Sequence, residues 1–185
     1  MSKYLIPALG ALALAACGQQ ASTETQTSTT AETTTPAAVQ PAAMTDAEFV
    51  QTVANSDAYE IQSSELAAQR GARADVKEFA TMMVRDHRAT TQELTTLAPT
   101  LNMAAPTPQL SADMTNDLNR MRGLSGEAFD DAYLDEQVEA HNSAVSTFER
   151  YIQGAQPGPL RDWAQTTLPK LRAHQEHVQR LENAT

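Results

Sequence analysis

The sequence predicts an all-α fold, an up-down-up-down four-helix bundle with an extra short helix before the third long one. Three observations predict it. Apolar residues recur at helical spacing in four long segments with capping or breaking residues at their ends; no segment sustains the period-two alternation of β-branched residues that strands need; and the short connections imply antiparallel neighbours.

Helix one opens at Thr45-Asp46-Ala47-Glu48, which fits a capping box, with Met44 and Phe49 placed as a hydrophobic staple. Phe49, Val50, Val53, Ala54, Ile61 and Ala68 then share a face until Arg70-Gly71 stops the run. Helix two begins near Asp75, which with Glu78 makes a second box-like start, and continues to about Ala98, before Pro99. The prolines of PTLNMAAPTPQL mark a loop, and Ser111 then opens a short helix with Met114, Leu118 and Met121 on one side. Ser125 is expected to cap helix three, whose Phe129, Tyr133, Leu134, Ala144, Val145, Phe148 and Ile152 share a face up to Gly154. Helix four follows Pro157-Gly158-Pro159 and presents Leu160, Trp163, Ala164, Leu168, Leu171, Val178 and Leu181, with Pro169 expected to kink it.

The domain these helices build spans 45–185. Before it, MSKYLIPALGALALAAC places Lys3 ahead of an apolar run too short to span a bilayer, the layout of a secretory signal. Its end, Leu14-Ala15-Ala16-Cys17, resembles the lipobox of bacterial lipoproteins. Residues 1–16 therefore read as the signal peptide and Cys17, the chain's one cysteine, as the acylated residue that anchors the protein in a membrane, the alternative being an ordinary secretory signal cut after an Ala-Leu-Ala pattern with Cys17 incidental. Gly18 at the next position favours the outer membrane, facing the periplasm. Residues 18–44 hold Ser, Thr, Ala, Gln, Pro and two glutamates without Lys, Arg or an aromatic, so 17–44 read as a disordered tether with an end-to-end distance of about 30 Å. A net charge of -10 disfavours nucleic acid as a partner and leaves a protein of the cell envelope as the macromolecular alternative. One cysteine excludes internal disulfides and Cys-rich zinc sites.

The apolar stripes are interrupted. At 100° per residue, helix one brings Asp57 and Glu60 onto its stripe, helix two His87, helix three Gln137 and His141, and helix four His174. If the turns at Gly71 and Pro157 lie at one end, then Glu60, His87, His141 and His174 all fall about 16 to 25 Å along the bundle. They are the candidate metal ligands, with Asp57 and Met83 as further candidates and Asp86, Tyr133 and Gln137 as supporting groups. A carboxylate in an apolar core must be protonated, paired with an imidazolium or bound to a metal. Imidazole and carboxylate donors suit zinc, copper, iron or manganese, and three His with one Glu would fill a tetrahedral shell. Against this stands a metal-free layer of buried hydrogen bonds that fixes helix register, in a module that binds an envelope protein through its outer surface. His177 reads as solvated, Met83, Met114 and Met121 as core filling, and Asp130, Asp131, Asp135 and Glu136 as mostly a solvated face.

The segments FVQTVANSDAYEIQSSELAAQR, VKEFATMMVRDHRATTQEL, GEAFDDAYLDEQVEAHNSAVSTFERY and LRDWAQTTLPKLRAHQEHV carry a resemblance. Through Met83, Asp86-His87, Phe129-Asp130, Tyr133, His141, Leu168-Pro169 and His174, the domain resembles the family of domain of unknown function (DUF) 4142. That resemblance implies a predicted outer membrane protein with a ferritin-like bundle and no assigned activity. Ferritin-like di-iron proteins carry Glu-x-x-His pairs, whereas Val84, Val138 and Leu171 stand three residues before these histidines, which argues against ferroxidase or oxygenase chemistry. No nucleophile elbow, phosphate loop or Ser-His-Asp order appears, so the reading leans away from an enzyme. A pH-responsive sensor has only the histidines' titration range behind it.

Overall fold

The described residues form five helices: α1 (Asp46–Arg70), α2 (Ala74–Thr100), α3 (Ala112–Arg122), α4 (Glu127–Gly154) and α5 (Pro159–Glu182). The computed structural model describes residues 43–184, within one unit, Gln40–Thr185. The expected signal peptide, Cys17 and most of the tether lie outside the described residues. Among the described residues there is no strand, and no helix is long and apolar enough to cross a membrane.

Helix ends follow local chemistry at some positions and depart from it at others. The Thr45 hydroxyl accepts from the Glu48 amide at 3.3 Å while the Glu48 carboxylate accepts from the Thr45 amide at 2.8 Å, completing the capping box of α1. Ser111 caps α3 by accepting from the Met114 amide at 3.1 Å. Three expectations are corrected. The cap of α4 is Gly126 rather than Ser125; its φ of 66° lies in the left-handed region that glycine adopts without a Cβ clash. The cap of α2 is Arg73, and Asp75 lies inside the first turn, where its carboxylate accepts from the Arg73 guanidinium and the Val76 amide. The same helix runs through Pro99 to Thr100, because a proline in the last turn leaves only the carbonyl of exposed Thr95 without its bond. α5 likewise runs unbroken through Pro169.

The expected up-down-up-down order is also corrected. The end of α1 (Ala67), the start of α2 (Val76), the start of α4 (Phe129) and the end of α5 (Leu181) share one apolar cluster. The start of α1 (Phe49), the end of α2 (Leu94), the end of α4 (Tyr151) and the start of α5 (Leu160) share the other. The long helices therefore run up, down, down and up, and the segment 101–126, α3 included, carries the chain back along the bundle. A loop followed by a short helix is long enough to cross over, so antiparallel neighbours were not required there.

The first end is closed by Asp130, buried at 1 % exposure, which accepts from the amides of Ala72 and Arg73 at 2.8 to 3.1 Å. It is not part of a solvated face. Gly71 permits that approach, since a Cβ there would lie 2.9 Å from the Ala67 carbonyl and 3.0 Å from the Asp130 carboxylate.

Candidate metal centre

Between the two apolar clusters lies a buried polar layer: Asp57, Glu60, His87, Thr90, Gln137, His141 and His174. It sits at mid-height because its members are close to the middle of their helices; His87 is the central residue of α2. That is why the histidines meet although Gly71 and Pro157 mark opposite ends. A residue halfway along a rod is at the same level counted from either end.

The three imidazoles form a nearly equilateral group. Ring centroids are 6.0 Å apart for His87 and His141, 5.8 Å for His87 and His174, and 5.6 Å for His141 and His174. One ring nitrogen from each lies within 4.8 Å of the other two. One nitrogen of each ring is held from outside the group. His87 Nδ1 is 2.7 Å from Asp57 Oδ1, His174 Nε2 is 3.0 Å from Asp86 Oδ2, and His141 Nδ1 donates to the Gln137 carbonyl at 2.8 Å. The nitrogens left without a partner are His87 Nε2, His141 Nε2 and His174 Nδ1. Carboxylate or carbonyl behind each ring, free nitrogens in front: this is the pattern that fixes tautomer and orientation for a metal.

Electrostatics favours neutral, ligand-competent rings at two positions. Burial pushes His141 down to about 3, and the His87 charge adds to it. His174 is lowered by burial, which its bond to Asp86 only partly offsets. At His87 burial also opposes the charge, but the bond to Asp57 and the charges of Glu60, Asp57 and Asp86 outweigh it and hold the ring above the usual histidine range. Burial raises Asp57, with the bond to His87 offsetting part of that.

Placement of the other sequence candidates is mixed. Glu60 is buried beside the histidines but not among them. Its carboxylate accepts from Gln137 Nε2 at 2.5 Å, and burial pushes it up to about 7. Asp57, three residues earlier, is the carboxylate that holds His87, with Thr91 donating to its other oxygen at 3.1 Å. Asp86 holds His174, and Gln137 supplies the carbonyl behind His141. Tyr133 pairs with Ser64 at 2.8 Å, and Met83 packs in the apolar cluster of the first end. His177 is half-buried with its ring edge-on to Phe79.

The sequence reading missed a cleft. Between α1 and α4 lies a cavity of about 380 Å³ whose floor includes Asp57, His87, Thr90 and Leu171 and whose outer lining includes Asp113, Glu139 and Ser143. No local motif announces it, because it is the gap between two helices far apart in the chain.

Nothing among the curated proteins and nothing among the solved structures matches the chain. A family model described as "Domain of unknown function (DUF4142)" matches residues 30–181.

Proposed function

Since the chain belongs to the DUF4142 family, whose description leaves the activity open, we propose from the site's own geometry that it is an envelope protein that binds a transition metal through His87, His141 and His174. The observation that carries this reading is the set of three buried imidazoles, a nitrogen of each within 4.8 Å of the other two, each ring held through one nitrogen and leaving its second without a partner. A buried polar atom without a partner costs about 1–3 kcal/mol, so a purely structural layer would not aim three of them at one point. Neutral imidazoles suit zinc, copper or iron, with copper(II) binding most tightly of the divalent series. Three protein donors leave a fourth position for another ligand, in contrast to the closed His-and-Glu shell expected from sequence.

The setting of the site belongs to the same proposal. Four long helices running up, down, down and up around a polar mid-layer suit a ferritin-like four-helix bundle. The lipobox-like Leu14-Ala15-Ala16-Cys17 supports acylation at Cys17 and an anchor in the outer membrane, with the domain held in the periplasm by the tether. No enzymatic step is proposed.

Metal analysis of protein purified without chelators tests the centre. Wild-type protein is expected to hold one equivalent and to melt higher when zinc or copper is added, while His87→Ala and His141→Ala lose both. Equal melting temperatures with and without metal would leave the layer structural and return the envelope interaction module as the better reading. Membrane fractionation of Cys17→Ala tests the anchor: release of the protein from the membrane fraction is the expected result.

A further inference from the structure

We infer that the metal keeps its fourth position open toward the cleft between α1 and α4, where it takes a small uncharged nitrogen or oxygen donor in preference to an anion. This rests on the metal reading above and specifies what the site would bind beyond the ion itself.

The first step is the donor count. Among the described residues, the only group of His, Cys, Asp and Glu side chains placed to share an ion is His87, His141 and His174. Glu60, the one carboxylate expected to complete the shell, is engaged with Gln137. Three donors leave a tetrahedral ion one position short.

The second step is access. The three histidines are at most 4 % exposed, so a ligand can arrive only along a path through the packing. The cleft supplies one. It runs from exposed Asp113, Glu139 and Ser143 down to Asp57 and His87, and His87 is the one member of the triad that lines it. His87 Nε2 is also a buried nitrogen without a partner. The cavity, about 380 Å³, falls in the range of small-molecule sites.

The third step is charge. Asp57, Asp113, Asp117, Glu136 and Glu139 line the cleft, and among the described residues no basic side chain apart from His87 does. Arg120, outside the lining, pairs with Asp117 and Glu136, and its single positive charge offsets one of the five. The remaining carboxylates oppose the attraction that the ion's own positive charge exerts on an anion, while neutral donors meet neither effect. Ligands of the imidazole or aliphatic amine class, in their neutral form, fit this filter; azide does not.

Full-length protein loaded with cobalt(II), followed by its visible spectrum, or with copper(II), followed by electron paramagnetic resonance, reads the fourth position directly. Titration with neutral imidazole is expected to shift the signal to saturation, and azide to require roughly tenfold higher concentration or more. Ser143→Trp and Ala140→Leu, which fill the cleft from α4, are expected to keep the metal and lose the imidazole response; Ala140→Leu, the smaller change, serves if the tryptophan variant fails to fold. Metal bound with a signal indifferent to imidazole would overturn the inference alone, and would point to Gln137 Oε1, a buried oxygen without a partner, as an internal fourth ligand. Tighter azide than imidazole binding, or a full imidazole response in both filled variants, would overturn it too. Protein that takes up neither ion overturns the metal reading, and this inference with it.

Discussion

Two buried polar regions lie inside this bundle, and they are satisfied to different degrees. At the end where α1 turns into α2, Asp130 accepts three hydrogen bonds from two backbone amides. At mid-height, His87, His141 and His174 each make one bond through one ring nitrogen and leave the second, buried, without a partner. Asp130 solves a backbone problem, the amides that a helix start leaves without acceptors. The histidines solve no such problem, and the groups behind them are arranged to hold rings still rather than to hold helices together. The difference separates a structural polar group from one poised for a ligand.

Crossing the two regions gives the largest expected effects. His141→Ala is expected to weaken metal binding about a thousandfold: a bound structural zinc is worth about 10–16 kcal/mol over its ligands, so one ligand of three carries roughly 4 kcal/mol. Asp130→Ala is expected to lower stability by about 2 kcal/mol, because two partly buried amides lose a charged acceptor at about 1 kcal/mol each, while the rise in melting temperature on adding metal stays the same. Denaturant unfolding with and without zinc measures both. If Asp130→Ala removed the metal response, or His141→Ala kept it, the two regions would not differ in kind.

A smaller effect sharpens the contrast within the layer itself. Asp57→Asn keeps the shape behind His87 but removes the charge, and is expected to weaken metal binding about ten- to a hundredfold, or about 1.4–2.8 kcal/mol. Glu60→Gln, three residues away, is expected to leave affinity unchanged. The reverse ranking in a calorimetric titration would return Glu60 to the ligand set and displace Asp57.

That pair also marks where reading the sequence reaches its limit. Helical periodicity put Asp57 and Glu60 on the inward face of α1, and both are buried, but two residues three apart differ by less than one turn. Which of them meets His87 is decided by how α1 and α2 are rotated against each other, a tertiary quantity. The four-residue capping box at Thr45 was legible because its partners are adjacent in the chain. Asp130 was not, since its partners lie 57 and 58 residues away, and an acidic residue early in a helix ordinarily faces water. The direction of α4 was misjudged because proline and glycine show where a helix stops without showing where the following loop goes. The histidine layer escaped that error only through its position midway along each helix.

The smallest expected effect is a near-flat response of the metal-free protein to pH, and it follows from opposing shifts within the layer. Glu60 is raised from 4.5 to about 7, so between those values the unfolded chain gives up its proton first and stability is lost as pH rises. His141 is lowered from 6.5 to about 3, so on acidification the unfolded chain takes the proton first, and stability is gained as pH rises through that window. Raised Asp57 sides with Glu60, and lowered His174 with His141. Each slope is at most about 1.4 kcal/mol per pH unit, and between 4.5 and 6.5 they oppose one another. Below that window the lowered histidines act against the acid form of the fold, and above it the raised Glu60 and His87 lose their contribution, so stability should fall on both sides. Urea unfolding of chelator-treated protein across this range measures the plateau. Glu60→Gln removes part of the falling slope and leaves that of Asp57 and His87, so stability of that variant should climb more with pH than that of the wild type; identical profiles would show that Glu60 ionises freely in the fold, and that the mid-height layer is wetter than its burial implies.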